Sequence, residues 1–300
     1  MKGRQSVLPK MSLIAITSSV LTMMCLLGTG CMFIGQDRTP ASYKSFSSRR
    51  ELKHATEIRA NLDFPIGELE LDALSSGDTS AYQVDIEYNE NRYSPNLEVS
   101  GESAIDFRFD LRHLRKSMGA NDKNRGEFRF SRNVPLELHV KTGVGENRID
   151  LTSLKIRDLR LLSGVGEARV TVTAPNSEIC RNVEIKSGVG EFNSVGLGNL
   201  NFQDLRFEGG VGEANLDFTG DWNRDANLDV RVGIGAVNIA LPTTVGAEVH
   251  ATKSFLSGLS LKDFQKDSSD IYRSNNFDKV KHRLSIEIKS GIGGVDLHWK

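Results

Sequence analysis

The residues best placed to do chemistry are four glutamates that recur after the same short motif. Glu146, Glu167, Glu191 and Glu213 each follow a Gly-Val-Gly triplet. If the copies stack in register, the carboxylates form one column, and carboxylate oxygens are the ligands that calcium accepts. Like charges at this spacing repel one another unless they are paired, protonated or bridged by a cation. A cation ladder is therefore one interpretation of the motif.

The other interpretation is structural, and it is the one we favour. Each carboxylate would accept backbone N–H bonds at a glycine bend or pair with an outward arginine or lysine. Later copies of the motif carry Ala236 and Gly294 in place of the acid, and the repeat continues. We therefore expect no bound metal and no cofactor.

Motifs for catalysis and for nucleic-acid binding are missing from the sequence. It contains no nucleophile elbow, no dinucleotide fingerprint and no zinc-ligand spacing. The histidines are isolated in sequence, and they are His54, His113, His139, His250, His282 and His298. Lys and Arg number 38 against 39 Asp and Glu, so the balanced charge gives no electrostatic case for nucleic acid. We expect a protein that is not an enzyme.

The element that must position the glutamates is an internal repeat. Its six clear copies share two glycines around one aliphatic residue, and the glycines are Gly143, Gly145, Gly164, Gly166, Gly188, Gly190, Gly210, Gly212, Gly233, Gly235, Gly291 and Gly293. The first five copies begin 21, 24, 22 and 23 residues apart. An earlier copy is Pro65-Ile66-Gly67-Glu68. A period near this length is typical of a stacked repeat fold.

Apolar and polar residues alternate on both sides of every copy. In the second copy, Leu159 and Leu161 precede the glycines with Arg160 between them, and Val170 and Val172 follow. Strict period-two alternation indicates a strand with one buried face. Each repeat is thus strand, glycine bend, strand and turn. We predict an all-β fold, a β-solenoid of stacked coils of about 22 residues, with a β-sandwich or a barrel of hairpins as the alternative.

Two details of the repeat are predicted as well. Glycine suits the bend because it tolerates positive φ and close backbone approach, and we expect the residue between the two glycines to point inward as a corner filler. In the copy that ends at Glu191, Ser194 occupies an aliphatic position. We expect a bulge or a looser turn there.

Two segments depart from the repeat. The stretch from Arg112 to Arg132 is hydrophilic and basic, and the stretch from Lys262 to Arg283 is rich in Lys, Asp, Ser and Asn. Both are expected to be surface loops. Upstream, Tyr82 to Tyr88 and Phe107 to Leu111 are predicted strands.

The N-terminus reads as a targeting segment. Basic residues precede the apolar run Met11 to Leu27, and small residues lead to Cys31. We predict a lipoprotein-type signal peptide over residues 1–31 with lipid attachment at Cys31. An uncleaved membrane anchor is the alternative, because the apolar run is long enough to span a bilayer when extended to Gly35.

The predicted organisation follows from these features. Residues 32–55 form a flexible linker, residues 56–133 an N-terminal β region with the basic loop, and residues 134–300 the repeat solenoid. Cys180 is the one cysteine outside the signal region, so we expect a small buried residue and no internal disulfide.

The chain resembles the bacterial toast-rack family. The residues that carry the resemblance are the run Ile66-Gly67-Glu68-Leu69, Glu87-Tyr88-Asn89 with Pro95, Pro135-Leu136-Glu137-Leu138, the serial Gly-Val-Gly copies and the ending Ile286 to Trp299. Its C-terminal part is similar to the extracytoplasmic domain of LiaF-type regulators of the cell-envelope stress response. The resemblance implies an exported all-β stack and supplies no catalytic residues.

We therefore expect a non-enzymatic lipoprotein of the bacterial cell envelope, extracytoplasmic and held to a membrane by its N-terminal lipid or anchor. It would serve as a structural or binding platform for an envelope protein or a cell-wall component. A regulator of envelope-stress signalling is one alternative, and a surface adhesin is another.

Overall fold

The structure is a computed structural model that describes residues 41–114, 122–253, 257–268 and 270–300. These residues lie within one compact unit that spans Thr39–Lys300. The predicted signal peptide, Cys31 and the first part of the predicted linker lie outside the described residues. Their predictions are not tested by the structure.

The described chain is almost entirely β-strand. The strands are β1 (Tyr43–Glu51), β2 (Glu57–Ala73), β3 (Ser80–Asn89), β4 (Tyr93–Ser100), β5 (Ala104–His113), β6 (Arg125–Phe130), β7 (Pro135–Asp150), β8 (Lys155–Thr171), β9 (Cys180–Val195), β10 (Phe202–Asp217), β11 (Ala226–Leu241), β12 (Val245–Lys253), β13 (Ser257–Leu261), β14 (Phe264–Lys266), β15 (Ile271–Ser274) and β16 (His282–Trp299). One short 3-10 turn spans Leu197–Leu200. The predicted all-β fold is confirmed.

The five strands β7 to β11 form the centre of the stack. Each is parallel to the next along the chain, and the motifs lie in register, so that Gly166 pairs with Gly145 and with Gly190. Strands joined as hairpins would pair antiparallel, so the parallel ladder excludes the barrel of hairpins in this region. Stacked coils are the observed arrangement.

Each long strand bends at its glycines into two arms. We call the residues before the glycines the first arm and the residues after them the second arm. Leu159 and Leu161 of the first arm and Val170 and Val172 of the second arm are all buried, and the buried side chains of both arms belong to one core cluster. Period-two alternation therefore gives each arm one face on the core and one face in solvent.

The N-terminal region continues the same stack. The strand β2 pairs with β7 motif on motif, and its outer edge pairs with β5 on the first arm and with β6 on the second arm. The predicted loop over residues 112–132 is wrong for residues 125–130, which form β6. Gly126, Phe128 and Phe130 alternate into the core there, while basic residues occupy the outer face.

The order of strands is not the order of the chain at the C-terminal end. The final strand β16 lies between β11 and β12, and its second arm pairs with β13. The predicted loop over residues 262–283 is wrong for residues 264–266 and 271–274, which form the antiparallel pair β14 and β15. This pair forms because Phe264 and Tyr272 pack against the core.

Strand β1 lies within the segment that the sequence assigns to the linker. It pairs antiparallel with β3 along Tyr43–Glu51, and Phe46 packs against the core. Arg49 Nη2 lies 3.0 Å from Asp78 Oδ1. The sequence does not indicate this strand, because most of its residues are polar. Polar residues suit it because it lies at the outer edge of the sheet and exposes most of its side chains.

Ser194 lies at an irregularity of the strand pairing, where we expected a bulge or a looser turn. Strand β9 keeps its register with β8 through Val195, while its ladder with β10 ends at Asn193. Ser194 Oγ donates a hydrogen bond of 3.1 Å to the Asn215 carbonyl and accepts one of 3.0 Å from the Asp217 amide. The hydroxyl thus replaces backbone hydrogen bonds.

Candidate functional site

The glycine bend is built by contact between neighbouring backbones. The second glycine of each copy has a φ between 124° and 145°. A Cβ on Gly166 would overlap the carbonyl oxygen of Gly145 in the adjacent strand. Both requirements exclude other residues, because only glycine combines positive φ with no side chain.

The residue between the two glycines points outward, so the prediction of an inward corner filler is wrong. Val144, Val165, Val189, Val211, Ile234 and Ile292 are each 43–48% exposed. The chain turns around the core at this point, which leaves these side chains on the convex side of the bend. We call these six residues the ridge.

At the first copy the ridge position is covered by the chain itself. Ile66 is 8% exposed. Asn124 Nδ2 donates a hydrogen bond of 3.1 Å to the Ile66 carbonyl, and the Glu68 amide donates one of 2.9 Å to the Asn124 carbonyl. The segment that begins β6 therefore packs over this corner.

Asn89 anchors that same segment from β3. Its side-chain amide donates to Asp122 Oδ1 at 2.8 Å, and its backbone amide donates to Asn124 Oδ1 at 3.0 Å. Arg92 Nη1 lies 3.2 Å from Asp122 Oδ2, and both side chains are nearly buried. Burial, followed by the charge of Asp122, raises the pKa of Tyr93. This polar cluster gives Asn89 of the Glu-Tyr-Asn run a structural role.

The predicted glutamate column exists as a stack. Glu146, Glu167, Glu191 and Glu213 are register partners in consecutive strands. Their side chains have partners of their own: Arg148 lies 2.9 Å from Glu146, Arg169 lies 3.4 Å from Glu167, and Asn193 donates to Glu191 at 2.8 Å. Asn238 donates to Glu213 at 3.3 Å.

These contacts favour the structural interpretation over the cation ladder. Among the described residues, no group of three His, Cys, Asp or Glu side chains converges as a metal site would require. The ladder itself remains an untested prediction.

An asparagine ladder, which the sequence analysis missed, lies beside this column. Asn215 Nδ2 donates to Asn193 Oδ1 at 2.9 Å, and Asn238 Nδ2 donates to Asn215 Oδ1 at 2.7 Å. Identical amides in adjacent in-register strands bond in this way in stacked β structures. The sequence does indicate this ladder, since each of the three asparagines lies at the same distance after the first glycine of its copy.

The outer face of the first arm carries two grooves. The first groove has a volume of about 530 Å3 and crosses β4, β5, β2, β7 and β8. The second has a volume of about 630 Å3 and crosses β9, β10, β11 and β16. No motif marks either groove in the sequence, because each is assembled from residues of several repeats.

Most charges of the first groove are already paired. Lys141 Nζ lies 2.7 Å from Asp63, Arg112 Nε lies 3.1 Å from Asp110, and Arg160 Nε lies 3.0 Å from Glu184. The hydrogen bond that Lys141 donates to Asp63 raises the pKa of Lys141. Because of these ion pairs, the groove does not bring an unpaired acid next to an unpaired base.

Arg108 and Leu162 differ from these paired residues of the first groove. Within the described part of the chain, the Arg108 guanidinium has no ion-pair partner, and it is exposed. Leu162 is a partly buried apolar residue between Lys141 and Lys186, its register partners in β7 and β9. The groove therefore offers a free cation and an apolar contact.

The acids of the second groove are held by basic neighbours. Asp229 lies 3.2 Å from Arg206 and 2.7 Å from Arg231, and Glu184 lies 3.0 Å from Lys186. The hydrogen bonds that Lys186 donates to Glu208 and Glu184 raise the pKa of Lys186. Opposite charges in adjacent strands favour one register of the stack.

Cys180 is buried with no exposed surface. Burial raises the pKa of its thiol. A neutral buried thiol is a poor nucleophile, so the structural role predicted for Cys180 agrees with its position.

The family of the chain follows from comparison of its sequence with known families. The model described as the N-terminal domain of toast_rack, DUF2154, matches residues 38–193 and 176–240. The chain belongs to the toast-rack family. Toast-rack proteins are extracytoplasmic proteins of bacteria. Among the described residues of this toast-rack chain, no helix is long and apolar enough to span a membrane.

Solved structures similar to this toast-rack chain are distant from it in sequence. A candidate cell adhesion protein from Clostridium sporogenes is 17% identical, with a TM-score of 0.45, and the match covers 86% of this chain and 100% of that chain. A candidate adhesin from Bacteroides fragilis is 12% identical, with a TM-score of 0.41, and covers 86% and 99%. No curated protein matches.

Proposed function

We propose that this toast-rack protein is a non-enzymatic binding platform of the bacterial envelope, held to a membrane by its N-terminal segment, and that it binds an anionic cell-wall component in the first groove. The observation that carries the proposal is that the groove holds Arg108 on β5, which is unpaired among the described residues, and the apolar Leu162 on β8, while its other charges are largely neutralised. A free guanidinium pairs well with a carboxylate or phosphate of a ligand.

The groove is wide enough and open enough to hold a segment of a polymer. Four neighbouring strands, β5, β2, β7 and β8, cross its floor, which corresponds to a width of about 14 Å at the usual strand spacing. The groove is open to solvent along this length. A polymer segment can lie across the strands and place an acidic group on Arg108.

The tether agrees with the position of the first described strand. Strand β1 is the outermost strand of its arm at one end of the stack. A chain anchored before residue 41 would therefore be held from that end. The lipid at Cys31, or the uncleaved anchor, is the proposed means of attachment.

Co-sedimentation with purified insoluble cell wall tests the binding proposal. Residues 39–300, which form a compact unit, are expected to pellet with the wall. The substitutions Arg108→Glu and Leu162→Asp together should reduce the bound fraction at least about tenfold, because they remove the free cation and the apolar contact.

The control is Arg181→Glu, which makes the charge change of Arg108→Glu on an exposed side chain outside both grooves. The control should bind as the unsubstituted chain does. Equal binding by the Arg108→Glu/Leu162→Asp variant would refute the groove as the site.

A further inference from the structure

The ridge is a row of exposed aliphatic side chains, one from each of six adjacent strands. Its six residues are register partners through β7, β8, β9, β10, β11 and β16. Adjacent strands are about 4.8 Å apart, so the array is about 24 Å long. A continuous apolar strip of this kind on a soluble surface marks an interaction site.

The two sides of the ridge differ in charge. On the second-arm side lie the four glutamates of the column. On the first-arm side, two residues before each first glycine, lie Lys141, Leu162, Lys186, Glu208, Arg231 and Lys289. Lys141, Lys186, Arg231 and Lys289 have side chains that are 40–63% exposed. The ridge is thus bordered by an acidic column and a mostly basic one.

We infer that the ridge is the contact surface of a parallel two-fold dimer of this chain. The partner must present aliphatic side chains at the same spacing in a single row, and a second ridge does so. An isologous contact requires a self-complementary patch. The opposite charges of the two borders supply that complementarity.

The charges also select the orientation. When the two-fold axis runs along the stack, the acidic column of one protomer faces the basic column of its partner. Glu146 and Glu191 then face the partner's Lys141 and the partner's Lys186. In the antiparallel arrangement β7 would lie against the partner's β16, so Glu191 would face the partner's Glu213 and Lys141 would face the partner's Lys289, and both pairs repel. Glu213 meets the partner's Glu208 in the parallel arrangement, and Lys186, 3.0 Å from Glu208 in its own chain, lies beside this contact.

The parallel arrangement suits a tethered protein. It places β1 of both protomers at the same end of the dimer, so both chains can be anchored to one membrane. This point rests on the proposed tether, whereas the ridge and its charges do not. The strip is small for a protein interface, so we expect a dissociation constant on the order of 10 µM in solution.

Sedimentation equilibrium of residues 39–300 tests the dimer directly. The unsubstituted chain should dimerise reversibly at about 100 µM, and the double substitution Val189→Glu/Val211→Glu should weaken the dimer at least about tenfold. The matched control is Ile179→Glu, because Ile179 is 46% exposed and lies off the ridge. A second variant with threonine at Val165, Val189, Val211 and Ile234 keeps β-branched side chains of similar size and should also weaken the dimer.

Disulfide trapping tests the orientation. Val144→Cys and Ile292→Cys, made separately, should each cross-link to the same residue of the partner under mild oxidation. An antiparallel dimer would bring position 144 against position 292, and neither single variant would cross-link. The native Cys180 is buried and stays out of the reaction.

Three outcomes would overturn the inference: a monomer at about 100 µM, a dimer that the threonine variant leaves unchanged, or the absence of both single cross-links. A monomer that still pellets with cell wall would refute the dimer alone. A dimer that fails to pellet would refute the proposed function alone.

Discussion

Gly145 lies so close to Gly67 of the neighbouring strand that a Cβ on Gly145 would overlap the Gly67 carbonyl oxygen. The same contact recurs at every later copy of the motif, each second glycine against the one before it. The glycines are therefore fixed by the stacking of backbones, and the residue that follows them is free to vary.

Substituting a second glycine should destabilise the whole stack. We expect Gly190→Ala to cost at least about 2 kcal/mol of unfolding free energy, because it combines a φ of 133° with overlap of the Gly166 carbonyl. Chemical denaturation measures the difference. The control is Gly294→Ala, where a Cβ meets nothing within 4 Å. Equal stability of the two variants would refute the explanation of the bend.

The glutamate column should be dispensable and should not bind calcium. We expect glutamine at positions 146, 167, 191 and 213 to change stability little, because the contacts to Arg148, Arg169 and Asn193 are exposed surface contacts. Millimolar calcium should leave the melting temperature of the unsubstituted chain unchanged. A rise of several degrees that the glutamine variant abolishes would establish the cation ladder.

The pair Arg92–Asp122 should be important for the N-terminal end of the stack. Asp122→Asn should destabilise the chain by about 3 kcal/mol, because it removes the carboxylate that lies 3.2 Å from the nearly buried Arg92 guanidinium. The comparison is Asp110→Asn, which breaks an exposed pair with Arg112 and should cost less than about 0.5 kcal/mol. If the two substitutions cost the same, the buried pair has no special role.

The central stack is well predicted by the amino-acid sequence, because alternation is readable wherever a strand has one buried face. Leu159, Leu161, Val170 and Val172 indicate both arms of β8 by their spacing alone. The alternation does not predict whether Val165 faces the core or solvent, since the glycines on either side carry no side chain that would indicate the buried face. That side chain lies on the convex side of the bend.

The ends of the stack are harder to predict for a different reason. Strand β16 has the same pattern as β11, so the sequence shows that it is a coil without showing where it inserts. Strand β6 is short, and Arg125 and Arg129 on its outer face obscure the alternation of Phe128 and Phe130. The grooves are not predictable at all, because Arg108 and Leu162 are 54 positions apart in sequence and reach the same groove only through the pairing of β5, β2, β7 and β8.

The proposed lipid attachment at Cys31 can be tested by phase partitioning. Full-length protein expressed in bacteria should partition into the detergent phase of a Triton X-114 extraction, and Cys31→Ser should move it to the aqueous phase if acylation at this residue is the anchor. Cys25→Ser is the matched control. Retention of the Cys31→Ser variant in the detergent phase would favour the uncleaved anchor over the lipid.

The central claim is that the first groove holds an envelope ligand, and site-specific photo-crosslinking in living cells tests it most directly. A benzophenone amino acid is placed at position 162, and in a parallel strain at position 179, which is exposed and outside the groove. We predict a crosslinked adduct with cell-wall material at position 162 and none at position 179. No adduct at position 162, or equal adducts at both positions, would contradict the account.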